Sequence, residues 1–178
     1  MNEDTLDVMF SSANSNWQTP EEILDIVEDV FDPHGGIWLD PASPGKDRTL
    51  VHAHQYFTQA EDGLTQQWYA DTTYLNPPYG TSIGDWTGKL RAEFNANRTK
   101  EFIALLPARP DTRWWRNLIS SSMRVCFLHK RVRYLNEAGY EQDPAPFPSC
   151  LVWGGSDPKR FEALVYEHGS TYRLSRGS

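Results

Sequence analysis

The chain has 178 residues, 39% hydrophobic and 23% charged, a globular composition that excludes disordered and fibrous classes and allows one sheet with flanking helices in one domain. A formal net charge of −7 excludes a protein that coats nucleic acid through a broad basic surface, but not one that grips a short site with a local patch. No apolar run approaches the roughly 20 residues of a bilayer span, and Met1-Asn2-Glu3-Asp4 lacks the basic start of a signal peptide, so the cytoplasm is the expected compartment.

Residues 1–16 are polar and rich in Ser and Asn, and read as a flexible N-terminal arm. A helix follows, with Thr19 as N-cap, Pro20 at the first helical position and Glu22 completing a capping box. Ile23, Ile26, Val27, Val30 and Phe31 recur at helical spacing until Pro33 and Gly35-Gly36 end the run. Ile37-Trp38-Leu39 is a short strand that stops at Asp40, and Gln55-Tyr56-Phe57 is a second. Glu61–Leu64 reads as a turn into a short helix, and Thr72–Leu75 as a strand running into Asn76-Pro77-Pro78-Tyr79-Gly80. Two successive prolines cannot continue a central strand, so the chain must leave the sheet there.

A helix over about 83–97 carries Trp86, Leu90 and Phe94 on one face, and Glu101–Leu106 is a strand stopped by Pro107. Asp111 caps a helix through Ile119, and Arg124–Leu128 is a strand. Residues 130–135 alternate charged and apolar side chains as a half-exposed strand does. A Pro-rich loop leads to the strand Ser149–Trp153, Asp157 caps a last helix through Glu167, and Tyr172–Leu174 forms a closing strand. Cys126 and Cys150 fall inside strands and read as buried free thiols, with a disulfide as the alternative. Strands alternating with helices predict an α/β fold with a mainly parallel sheet. The segments after Leu39, Phe57 and Leu75 then share the crevice beyond the strand carboxyl ends, where such sheets bind ligands.

Asn76-Pro77-Pro78-Tyr79 carries the chemistry. The amino group of an aromatic base is a weak nucleophile because its lone pair is delocalised into the ring. A site that methylates it must accept hydrogen bonds from both N–H groups, so that the lone pair turns towards the incoming methyl. The Asn76 side-chain oxygen and the Pro77 carbonyl supply two acceptors, the prolines fix the backbone without competing donors, and Tyr79 can stack on a base swung out of its duplex. Such transfer needs no covalent intermediate. The competing structural account is a Pro-Pro turn with Tyr79 covering the core.

The strip resembles the signature of amino-group methyltransferases that use S-adenosylmethionine. Asp40-Pro41-Ala42 resembles the opening of their cofactor loop, although Ser43-Pro44-Gly45 keeps one glycine where that loop is glycine-rich. Trp17-Gln18-Thr19-Pro20 resembles the Thr-Pro element upstream of that loop, and Asp62-Gly63-Leu64 the acidic turn that meets the cofactor's adenine. With Trp68, Leu106-Pro107-Ala108, Arg131, Pro146-Phe147 and Ser149, the order over roughly residues 17–155 resembles the small phage-type Dam-like DNA N6-adenine methyltransferases. The resemblance implies a Rossmann-like S-adenosylmethionine-dependent methyltransferase fold, with a mainly parallel twisted sheet in one domain over 17–178. It also implies a phage or prophage origin, a double-stranded DNA substrate with a short recognition site, and a small recognition insert at about 129–148. On this reading Asn76, Pro77, Pro78 and Tyr79 are catalytic, and Trp17, Thr19, Pro20, Asp40, Pro41, Ala42 and Asp62 hold S-adenosyl-L-methionine.

Arg109 and Arg113, in one basic group with Arg116, and Lys130, Arg131 and Arg133 in another, become candidates for DNA contact, against the alternative of a solvated face. Cytosine N4, adenine in RNA and glutamine amides pose the same lone-pair problem and stay open as acceptors. So does a non-catalytic nucleic-acid-binding protein on a decayed methyltransferase fold, which the thinned glycine loop favours. No metal is expected, because His52 and His54 lack further ligands at suitable spacing. The oligomeric state is not readable.

Overall fold

A computed structural model describes residues 17–174; the predicted N-terminal arm lies outside them. The elements in chain order are α1 (Glu21–Phe31), β1 (Ile37–Asp40), β2 (Ala53–Tyr56), β3 (Ala70–Leu75), α2 (Ile83–Asn95), β4 (Thr99–Pro107), α3 (Arg113–Leu118), β5 (Arg124–Leu128), β6 (Ser149–Gly154), α4 (Pro158–Val165) and β7 (Gly169–Tyr172). The strands form one seven-stranded sheet in the order β2-β1-β3-β4-β6-β5-β7.

The sheet is mixed rather than mainly parallel. β2, β1, β3 and β4 pair in parallel, whereas β6 runs antiparallel to both β4 and β5, and β7 antiparallel to β5. Parallel neighbours need a crossover connection, usually a helix. Residues 129–148 join β5 to β6 without one, so the chain turns back beside its own strand. The helix–strand alternation misled at this one connection.

Side chains alternate across β4. Phe102 meets Phe94 of α2 edge-on, with ring centroids 5.0 Å apart, while Ile103 pairs with Trp153, whose ring stacks on Phe161 of α4 at 5.5 Å. Helices α2 and α3 therefore cover one face, and α1 and α4 the other. Ile23, Leu24, Ile26, Val27, Val30 and Phe31 of α1 are all buried; each contributes about 1.5–3 kcal/mol relative to an exposed position. No basic residue lies in the last turn of α1, and Arg160 of α4 caps it instead, donating to the carbonyls of Asp29 (2.5 Å) and Val30 (3.4 Å). Cys126 and Cys150 are buried free thiols.

Several local expectations change. Pro20, not Thr19, sits at the N-cap of α1, and no side chain caps that helix. Residues 61–64 form turns without a helix, Thr112 rather than Asp111 caps α3, and β7 ends before Arg173. Residues 130–135 form no strand, although Val132 and Tyr134 are buried and Lys130, Arg131 and Arg133 exposed as the alternation predicts. Their partner stretch carries Pro144, Pro146 and Pro148, which lack the N–H groups a ladder requires. Single bonds remain, from Ala145 N to Val132 O and from Gln142 N to Tyr134 O, each 2.9 Å. Among the described residues, no helix is long and apolar enough to cross a membrane.

Candidate active site

The carboxyl ends of β1, β2, β3 and β4 lie on one edge of the sheet. There a cavity of about 580 Å³ is lined by Trp17, Thr19, Asp40, Pro41, Ala42, Asp62, Asn76, Pro77 and Pro78, among others. Four separate chain segments supply these residues: residues 17–19 ahead of α1, and three that leave the sheet after β1, β2 and β3.

Asn76 follows β3 directly. Its side-chain NH2 donates to the Trp17 carbonyl (2.5 Å) and to Thr19 Oγ1 (3.1 Å). Thr19 Oγ1 in turn shares a 2.7 Å hydrogen bond with Tyr74 Oη, which explains why Thr19 does not cap α1. With both N–H donors committed, Asn76 Oδ1 is buried and has no hydrogen-bond partner among the described residues. Trp17 Nε1, on the same cavity wall, is also buried and without a hydrogen-bond partner among the described residues. Buried polar atoms are rarely left unpaired, since each costs about 1–3 kcal/mol. One unmet acceptor and one unmet donor in one cavity point to a polar ligand.

Asp40 ends β1 and is 4% exposed. Its Oδ1 accepts from Ala42 N at 3.2 Å. Burial pushes the carboxyl up to about 7, against the lowering effect of the Ala42 N–H and the Ser43 hydroxyl. A carboxyl poised there ionises readily when a cation arrives beside it. Asp62 is exposed, adopts a left-handed backbone (φ 51) and accepts from Leu64 N through Oδ1 at 3.2 Å. The next residue must be glycine, because a Cβ at Gly63 would lie 2.0 Å from the Pro41 carbonyl oxygen. The acidic turn and the loop after β1 therefore touch backbone to backbone. Trp68 locks that contact by donating from Nε1 to the Gly63 carbonyl at 2.8 Å.

Tyr79 faces elsewhere. It is 3% exposed, donates to the Leu105 carbonyl (3.2 Å), shares a 2.9 Å hydrogen bond with Tyr134 Oη, and meets Tyr134 and Phe147 edge-on. Trp17 packs edge-on against the same two rings at 5.4 and 5.8 Å. Segment 129–148 thus braces both Trp17 on the wall of the first cavity and the end of the strip. Tyr79 and Gly80 line a second cavity of about 490 Å³, with Pro107, Arg109, Thr112, Arg113 and Trp114 among its other walls. Gly80, at φ 122, turns the strip into α2 in a conformation that side chains resist.

A sequence model of the DNA N-6-adenine-methyltransferases (Dam) matches residues 9–153, well over half of the chain. The chain belongs to the Dam family. No curated protein matches it in sequence. Membership places it in the class of enzymes that methylate adenine N6 in DNA.

Against that family, the structure gathers Trp17, Thr19, Asp40, Pro41, Ala42 and Asp62 around one cavity, with Asn76, Pro77 and Pro78 on its wall. Pro20 is buried and outside that wall; its carbonyl accepts from the Ile23 and Leu24 amides at the start of α1. Arg109 and Arg113 reach the second cavity, where Arg109 is held 3.2 Å from Asp111. Lys130, Arg131 and Arg133 line neither cavity and are exposed, Arg133 lying 3.4 Å from Glu141. Sequence reasoning missed Tyr74, Trp86 and Arg48 on the first cavity and Trp114 on the second. Tyr74 was detectable in principle: it stands two residues before Asn76 and shares its face of the strand.

Proposed function

We propose that this Dam-family chain transfers a methyl group from S-adenosyl-L-methionine directly to N6 of an adenine flipped out of double-stranded DNA. The observation that carries the reading is Asn76: both amide hydrogens are taken and the oxygen is left buried and unpaired beside the cavity. That acceptor is what an aromatic amino group needs to lose its delocalisation and present a lone pair. The Pro77 carbonyl is the second acceptor, held by a backbone that two prolines restrict.

The residues of the first cavity fit the cofactor. Asp40 offers a carboxylate to the ammonium of the methionine moiety, Asp62 an acceptor to the adenine amino group, and Trp17, Pro41 and Ala42 apolar walls. When bound, S-adenosyl-L-methionine supplies an electrophilic methyl group. The chain's own part is to hold the acceptors still, exclude water and orient the base. Tyr79, which lines the second cavity rather than the first, is the ring proposed to stack on that base from there, held by its bonds to Leu105 and Tyr134. Arg109 and Arg113 are proposed to hold DNA phosphates at the second cavity, and Lys130, Arg131 and Arg133 to do so on a recognition segment spanning 129–148.

The test is methylation of duplexes carrying adenine or cytosine as the only amino-bearing target, read by nucleoside mass spectrometry, with calorimetry of cofactor binding alongside. The expected result is micromolar binding of S-adenosylmethionine and N6-methyladenine as product. Product at cytosine alone, or a protein that binds DNA but no cofactor, contradicts the proposal; the latter outcome marks a decayed fold.

A further inference from the structure

We infer that Thr19, with Tyr74 behind it, is a positioning residue for the catalytic amide of Asn76 rather than a cofactor ligand. This rests on the proposed role of Asn76 and goes beyond it, because it reassigns a residue whose resemblance placed it on the cofactor. An asparagine amide is nearly symmetric in shape, and only its hydrogen-bond partners decide which end is oxygen and which is nitrogen. The two partners here are both acceptors towards it: the Trp17 carbonyl, which cannot donate, and Thr19 Oγ1. A reversed amide would set oxygen against the Trp17 carbonyl oxygen. The acceptor end is thereby forced to the unpartnered side.

The Thr19 hydroxyl is itself fixed. Tyr74 Oη lies 2.7 Å from it, and Tyr74 is 1% exposed on the strand that delivers Asn76. Burial raises the Tyr74 phenol well above its ordinary value, with the charge of Asp40 adding to the rise, so it stays a neutral hydrogen-bonding group. The upstream segment is anchored in turn. Gln18 N donates to Leu135 O (3.1 Å) and Leu135 N to Gln18 O (2.9 Å), which pins the Trp17 carbonyl to segment 129–148. The amide is thus held by two bonds from segment 17–19, which is itself fixed by Tyr74 and by Leu135 of segment 129–148.

Thr19→Val, Thr19→Ser and Tyr74→Phe test the assignment in the full-length protein. Misplacing a reacting group slightly costs up to about a hundredfold in rate, so Thr19→Val is expected to lower kcat on the order of tenfold to a hundredfold with an unchanged Kd for S-adenosylmethionine. Thr19→Ser, which keeps the hydroxyl, restores most of the rate. Tyr74→Phe keeps the buried ring and lowers kcat less, with the same unchanged Kd, which covers a failure of Thr19→Val to fold. In isotopically labelled protein without cofactor, the Asn76 side-chain amide resonances shift and broaden in Thr19→Val. A Thr19→Val variant with wild-type kcat, with a Kd weakened while kcat holds, or with unmoved Asn76 resonances overturns the inference. Full turnover by Asn76→Ala removes the proposed function itself; a dead Asn76→Ala beside a normal Thr19→Val removes only the positioning role.

Discussion

Two cavities flank one four-residue strip, and they are built from different material. The first is walled by a buried carboxyl, unpartnered polar atoms and apolar rings, and its backbone loops touch without room for a Cβ. The second carries Arg109, Arg113 and the side of Trp114, and opens beside a helix of only six residues. A small zwitterion is recognised by fixed, desolvated groups, whereas a polyanion is gripped by cations that remain in contact with water. Under the proposed function, the first cavity is the one that takes the cofactor and the second the one that meets DNA, on a chain that is acidic as a whole.

That division can be broken in order of expected effect. Asn76→Ala should cost the most, on the order of a hundredfold to a thousandfold in kcat, as loss of one preorganised hydrogen-bonding group does at other enzymes. Asp40→Asn should weaken S-adenosylmethionine by roughly tenfold to a hundredfold in calorimetry, the value of a hydrogen bond to a charged group. It carries a second signature in stability. With its folded-state carboxyl at about 7 against an ordinary 3.8, Asp40 favours the folded state below the lower value and loses that contribution as pH rises to the upper one. Asp40→Asn therefore raises Tm near neutral pH and above, progressively less as pH falls, and changes it little below about 3.8. An equal change in Tm at both ends contradicts the buried carboxyl.

Arg113→Ala acts on the other cavity. It should weaken DNA binding across sequences and reduce the slope of log affinity against log salt by about one, with cofactor affinity unchanged. Loss of cofactor binding in that variant would erase the distinction between the cavities. Gly63→Ala forces the acidic turn away from Pro41 and should destabilise the fold by about 1–3 kcal/mol, as overpacking does, seen as a lower midpoint in denaturant. The smallest effect belongs to Tyr134→Phe, which removes one hydroxyl from the bracing of Tyr79 and should cost about 1 kcal/mol.

The first cavity was legible from the sequence because its residues end strands. Asp40 and Asn76 announce themselves as polar residues closing apolar runs, next to prolines that stop the ladder. The second cavity was legible only in part, through Tyr79, Arg109 and Arg113; Trp114 was missed because it sits in a short helix where an aromatic reads as core. Thr19 was misread for a local reason. Thr-Pro-Glu-Glu is a strong helix start, and nothing within the chain's local pattern reveals a tyrosine and an asparagine more than fifty residues away competing for the same hydroxyl. The antiparallel half of the sheet was hidden likewise: β6 looks like any buried strand, and its direction depends on a connection that lacks a helix.

The most direct test compares wild-type protein with Asn76→Ala, incubated with S-adenosylmethionine and duplex DNA, for N6-methyladenine by mass spectrometry and for cofactor binding by calorimetry. The predicted result is N6-methyladenine formed on the order of a hundredfold to a thousandfold more slowly by Asn76→Ala than by the wild type, with both proteins binding the cofactor alike. Undiminished N6-methyladenine from Asn76→Ala would contradict the account.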